Sequence, residues 1–233
     1  MSITANASQK PRILTPAGTF IARCYQIWDM GTQEETDFKT GAKKMYHKIR
    51  LVFELPTKTH TFDEAKGPQP FSIGIDYNLF MNEQANLRKT IQDWTGHKMT
   101  DKEANEFDML SLLGKPCTLT VGHKTAKSTG NEYAFIAAIT PPMDGVTIPP
   151  PHNENFEFDF NEHFENFDRL PKWFQDKIAA TIEYANAKNP AKQTVNMDAE
   201  RKAWKKMEED EKAKKNLIPH VPLPGEDLND LPF

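Results

Sequence analysis

The chain predicts a mainly β fold with helices (α+β), its strands curled into a small barrel. Three observations carry that expectation: strict two-residue alternation over 46–55, a change to helical spacing between the third and fourth extended stretches, and a Pro141-Pro142 stop after the fifth. Only 38% of the 233 residues are hydrophobic and mean hydropathy is −0.68, too polar for a chain packed throughout around one core. One globular part with solvated flanks is expected, and residues 1–15 read as a disordered lead-in.

The first strand, 18–28, is β-branched and aromatic and ends near Gly31, followed by a polar loop turned by Gly41. The second, 46–55, places Ile49, Leu51, Phe53 and Leu55 on one face and Tyr46, Lys48, Arg50, Val52 and Glu54 on the other. Such alternation buries one face and wets the other. A third strand, 71–77, follows the Lys66-Gly67-Pro68 turn. From Asn82 or Glu83 to Gly96 the spacing is helical, with Leu87, Ile91 and Trp94 on one side. Thr100-Asp101-Lys102-Glu103 is a capping box, and Phe107, Leu110, Leu112 and Leu113 extend it into a second short helix closed by Gly114. Strands four and five, 115–123 and 132–139, flank a turn over 126–131. Three strands, helices, then two strands is the element order of an OB-fold, a five-stranded partly open barrel with its helical insertion between strands 3 and 4. Another small β-barrel or an α+β sandwich shares that string. The barrel domain is 16–150.

Beyond Pro149-Pro150-Pro151 the composition shifts, and 151–190 reads as an acidic-phenylalanine segment with a C-terminal helix. Phe156, Phe158 and Phe160 alternate with acids; they either pack on the barrel or imitate a nucleic acid, rings and carboxylates lying in a basic groove. A helix over 170–188 shows Phe174, Ile178, Ile182 and Ala185 on one stripe, a docking face for the barrel or a second protomer. Residues 191–233 form a charged linker and an acidic tail: 198–215 is Lys/Glu-rich, and Pro219, Pro222 and Pro224 keep the tail extended. Through Pro150 there are 17 Lys and Arg against 16 Asp and Glu; after it there are 12 against 17. A near-neutral body thus carries an acidic extension.

Catalytic motifs are missing from the string. Gly114-Lys115 lacks the upstream glycine and following hydroxyl of a phosphate loop, and the seven histidines form no His-x-x-x-His pair. Carboxylates are plentiful but not clustered around a nucleophile. His47 and His123 fall on strands as packed or surface residues. Cys24 and Cys117 read as buried free thiols of a reducing cytosol, with no zinc spacing. A non-enzymatic, cytoplasmic protein without cofactor or metal is expected, with neither a signal peptide nor a membrane span.

A binding face is better supported. With Ala22 and Cys24 inward, Arg23 and Tyr25 turn outward beside Tyr46, Lys48 and Arg50 of the neighbouring strand. Lys39, Lys43 and Lys44 would rim that face from the strand 1–2 loop, and Lys124 and Lys127 from the strand 4–5 loop. Rings among cations suit a single strand, since bases stack on the rings while Lys and Arg track the phosphates. Tyr133 and Phe135 serve either core or stacking.

These features together resemble bacteriophage single-stranded DNA-binding proteins. The likeness is carried by Pro16-Ala17-Gly18-Thr19 through Asp29-Met30-Gly31, Asn86-Leu87-Arg88-Lys89 through Trp94, Leu113-Gly114-Lys115-Pro116-Cys117, and Leu170-Pro171-Lys172-Trp173. The tip, Asp227-Leu228-Asn229-Asp230-Leu231-Pro232-Phe233, is similar to the end of bacterial single-stranded DNA-binding proteins, where acids precede a terminal Pro-Phe that recruits replication and repair enzymes. The resemblance implies a protein that coats single-stranded DNA without sequence preference in phage replication, recombination or repair, in the cytoplasm of the infected host. It implies partner binding through Asp227, Asp230, Leu231, Pro232 and Phe233. The Lys/Glu-rich linker departs from the longer Gly/Pro/Gln-rich linker of the bacterial proteins, so tetramer formation does not carry over. An OB-fold adaptor or recombination mediator that does not coat DNA is the alternative.

Overall fold

The computed structural model describes residues 13–36 and 40–189. It is mainly β with short helices. Five strands, β1 (Gly18–Thr36), β2 (Lys43–Asp63), β3 (Gly67–Asn78), β4 (Pro116–Thr125) and β5 (Glu132–Thr140), form an open antiparallel sheet in the order β3-β2-β1-β4-β5. A short sixth strand, β6 (Phe156–Phe158), pairs parallel to β1 at Gln26–Trp28. The strand β1 is long because it serves two partners: Gly18–Arg23 pairs with β4 and Arg23–Thr36 with β2. A register shift between Cys24 and Gln26 falls just past that hand-over, and a second lies between Asp29 and Gly31.

The expected inward face of 46–55 holds. Ile49, Leu51, Phe53 and Leu55 are buried with Ala22, Cys24, Ile27, Cys117, Leu119 and Val121. The helix α1 (Asn86–Thr95) closes this core with Leu87, Ile91 and Trp94. It starts later than the spacing suggests, because Asn82 first makes a turn whose side chain accepts the Gln84 N–H. The capping box at Thr100 forms as expected and starts α2 (Asp101–Asn105). The next apolar residues make a separate 3-10 turn, Met109–Leu112, in place of a continued helix. Arg88 ties these pieces together, bonding Met81 O, Met99 O and Asp101.

The second face of β2 is not wet. Val52 and Glu54 are buried, with Trp28 and Met30 of β1, under the segment that comes after the proline run. Phe156, Phe158 and Phe160 pack there with Leu170, Phe174 and Ile178, so the acidic-phenylalanine segment packs on the sheet. The expected single C-terminal helix is two, α3 (Lys172–Ile178) and α4 (Ile182–Lys188). Thr181 causes the break: its hydroxyl donates to Ile178 O and accepts from the Tyr184 N–H, ending one helix and starting the next. Ile182 is consequently exposed and leaves the expected stripe.

The described residues through Ala187 make one compact unit. A second, Lys188–Phe233, lies almost wholly outside the described residues, and with it the expected charged linker and tail. Among the described residues, no helix is long and apolar enough to cross a membrane, and no group of His, Cys, Asp and Glu could hold a metal ion.

Candidate nucleic-acid interface

The face expected from the sequence is occupied by the protein itself. Arg23 does point to the outer side of β1, but it is held there. Its Nε donates to Glu54 Oε1 at 2.9 Å, and its remaining nitrogens reach Asn155 Oδ1 at 2.5 Å and the Asn153 carbonyl. Glu54, fully buried, also accepts from the backbone N–H groups of His152 and Asn153. Tyr25 packs beside the second core, and burial pushes its phenol up against the lowering effect of a Ser72 hydrogen bond. Arg50 bonds Asp76 at 2.5 Å and lies 5.2 Å from the Trp173 ring.

The strand 1–2 cations are also engaged. Lys43 meets Glu34 at 2.8 Å and Lys48 pairs with Glu35, whose cross-strand partner is Lys44. Opposite charges facing each other across the ladder compensate locally. The ring of Tyr46 sits edge-on against Phe80. Lys39 lies outside the described residues, as do Asp227, Asp230, Leu231, Pro232 and Phe233.

The structure also separates the two expected rims. Thr36 pairs with Lys43 at one end of β1, whereas Gly18 pairs with Val121, next to Lys124, at the other. The β4–β5 hairpin instead shares its end of the sheet with the β2–β3 hairpin, because β2 and β4 both run antiparallel to β1. Thr15 joins them: its hydroxyl donates to Ser72 O of β3, and its carbonyl accepts from His123 Nε2 of β4 at 2.8 Å.

This shared end carries open rings among cations. On β2–β3, Phe62 is 51% exposed and packs on His60 and Phe71 at 4.9 and 5.3 Å between ring centres. Lys58 Nζ lies 5.5 Å from the ring of Phe20. On β4–β5, Lys124 Nζ sits 4.0 Å from the Phe135 ring, and Tyr133 is 43% exposed. The Phe135 ring lies against Gly122, where an added Cβ would come within 2.8 Å of it and force the ring to move. Lys127 and Lys66 are exposed on the respective turns; Asp63, Glu64 and Glu132 are the nearby acids. Cation–ring pairs of this kind hold both partners in place at about 0.5–1 kcal/mol each.

Lys58, His60, Phe62 and Phe20 were outside the sequence-based site. The signal for Lys58, His60 and Phe62 was present as alternation in Thr57-Lys58-Thr59-His60-Thr61-Phe62, hidden behind Pro56. Pro56 falls in the register shift between Leu55 and Thr59, where the missing N–H leaves no ladder bond broken. The largely apolar pocket at the opposite end, lined by Ile27, Ile49, Leu79 and Phe158, is rimmed by Asp29, Asp159 and Glu162, a charge that repels phosphate. No protein-family model matches the chain, and no curated protein matches it.

Proposed function

We propose that the protein binds single-stranded nucleic acid, in the first place single-stranded DNA, without strong sequence preference through the end of the sheet formed by the β2–β3 and β4–β5 hairpins. The observation that carries this reading is the set of rings and lysines gathered on two adjoining hairpins: exposed Phe62 with Lys58, held by Phe20, on the same β2 stretch, and exposed Tyr133 and half-buried Phe135 with Lys124. Rings accept any base by stacking, at about 1–3 kcal/mol each, and lysines track the phosphates. The strand order β3-β2-β1-β4-β5 and the helix between β3 and β4 support an OB-type reading, in which β3 and β5 would be the facing edges of a partly open barrel. The resemblance to phage single-stranded DNA-binding proteins adds the coating role in replication and recombination, and recruitment of partner proteins by the Asp227–Phe233 tip.

Of the ten cations and rings that the sequence suggests, Lys124 and Lys127 stay in the proposed surface. Arg23 has a structural reading. The test is fluorescence anisotropy of a labelled oligothymidylate with the full chain and with Phe62→Ala/Tyr133→Ala. Both rings are exposed, so the fold should persist while affinity drops by about tenfold or more. Wild-type affinity in a folded double variant would remove the site from these hairpins. An adaptor that does not coat DNA would give no binding with either protein.

A further inference from the structure

Outside the hairpin end, one large aromatic side chain is held rigidly with its face open. Trp173, at the start of α3, is 53% exposed while its neighbour Phe174 is completely buried. Its ring is fixed by three contacts: Phe174 edge-on at 5.6 Å, Trp28 tilted at 6.4 Å, and the Arg50 guanidinium at 5.2 Å. Arg50 is itself fixed. It bonds Asp76 and lies across Gly74, where any Cβ would stand 2.6 Å from its Nε. A ring so constrained has little freedom left to lose when a flat partner stacks on it.

The charges around it suit a phosphate chain. Arg50 lies against the ring, Lys172 and Lys177 are its neighbours on α3, and Asp76 and Asp176 pair with these cations. Three cations against two carboxylates leave a net positive site. Gly74 and Asp76 alternate with Phe71 and Ile73 along β3, so Arg50 and Trp173 lie on the opposite face of the sheet from the Phe71–Phe62 ring cluster and form a separate contact.

We propose that Trp173 is a second nucleobase-stacking platform, contributed by the C-terminal segment rather than by the barrel, with Arg50 and Lys177 as its phosphate contacts. The inference rests on the single-strand binding proposed for the hairpin end. It gives the packed 151–187 segment a direct part in binding, on the face of the sheet opposite Phe71.

Fluorescence separates this claim from the binding it rests on. Among the described residues Trp28 and Trp94 are buried, and Trp204 lies outside them, so the experiment uses a Trp204→Phe background. Saturating oligothymidylate should quench the emission of that protein, and Trp173→Phe should abolish the quench while keeping a ring against Arg50 and Phe174. Trp173→Ala should weaken anisotropy-measured affinity by at least about fivefold, the lower bound for one lost stack. Should Trp173→Ala fail to fold by circular dichroism, the Trp173→Phe quench decides alone. Binding with an undiminished quench in Trp173→Phe overturns this proposal and leaves the hairpin site standing. No binding by the full chain overturns both.

Discussion

His47 shows how a lone histidine on a strand becomes a latch. Its Nε2 lies 2.6 Å from Asp29 Oδ1 and its Nδ1 3.8 Å from Glu183, which accepts from the Thr32 hydroxyl and N–H. The Asp29 hydrogen bond, opposed by burial and aided by the charges of Asp29 and Glu183, holds the imidazole above its usual 6.5. For Glu183, burial pushes the carboxyl up, but the Thr32 bonds and His47 together hold it below 4.5. A raised histidine contributes stability in full below its unfolded value and loses it as pH rises through the folded one. The Tm difference between wild type and His47→Gln should therefore be largest near about pH 6 and shrink by about pH 8.5. A difference that grows with pH would contradict the latch.

At the scale of elements, the start of the 151–187 segment is anchored by a buried carboxylate. Glu54 accepts from Arg23, from the backbone of His152 and Asn153, and from Asn153 Nδ2 at 2.6 Å. Its partners sit on β1 and on the start of the segment, so it joins β2 to both. Removing one partner of such a pair strands a buried charge and costs on the order of 3–5 kcal/mol. Glu54→Ala should lower stability by that order in denaturant titration and release the Phe156–Phe160 packing to limited proteolysis. A change within about 0.5 kcal/mol, the size of an ordinary surface substitution, would contradict the role given to it. The same network explains why Arg23→Ala is a poor probe of nucleic-acid binding, since it strands Glu54.

For the whole molecule, the sequence made legible whatever a period or a cap encodes. Ile49, Leu51, Phe53 and Leu55 alternate because one side of a strand faces the core, and Thr100-Glu103 caps because both side chains serve backbone N–H groups within one turn. The cover over the other side of β2 was not legible: Glu54 and Arg50 look solvated in the string, and only the returning segment, about a hundred residues later, covers them. The proposed surface differs from the one expected from the sequence for the same reason. Cations on 43–50 read as free because Glu34 and Glu35 meet them only across a strand register, while Lys58 and Phe62 hid behind a proline. The central claim, a phosphate-tracking surface at the hairpin end, is tested most directly by the salt dependence of oligothymidylate binding to the full chain. The four contacts from Lys58, Lys66, Lys124 and Lys127 alone predict that log K falls with log salt at a slope of about −3 or steeper, with duplex bound more weakly. A flat salt response, or equal affinity for duplex, would contradict it.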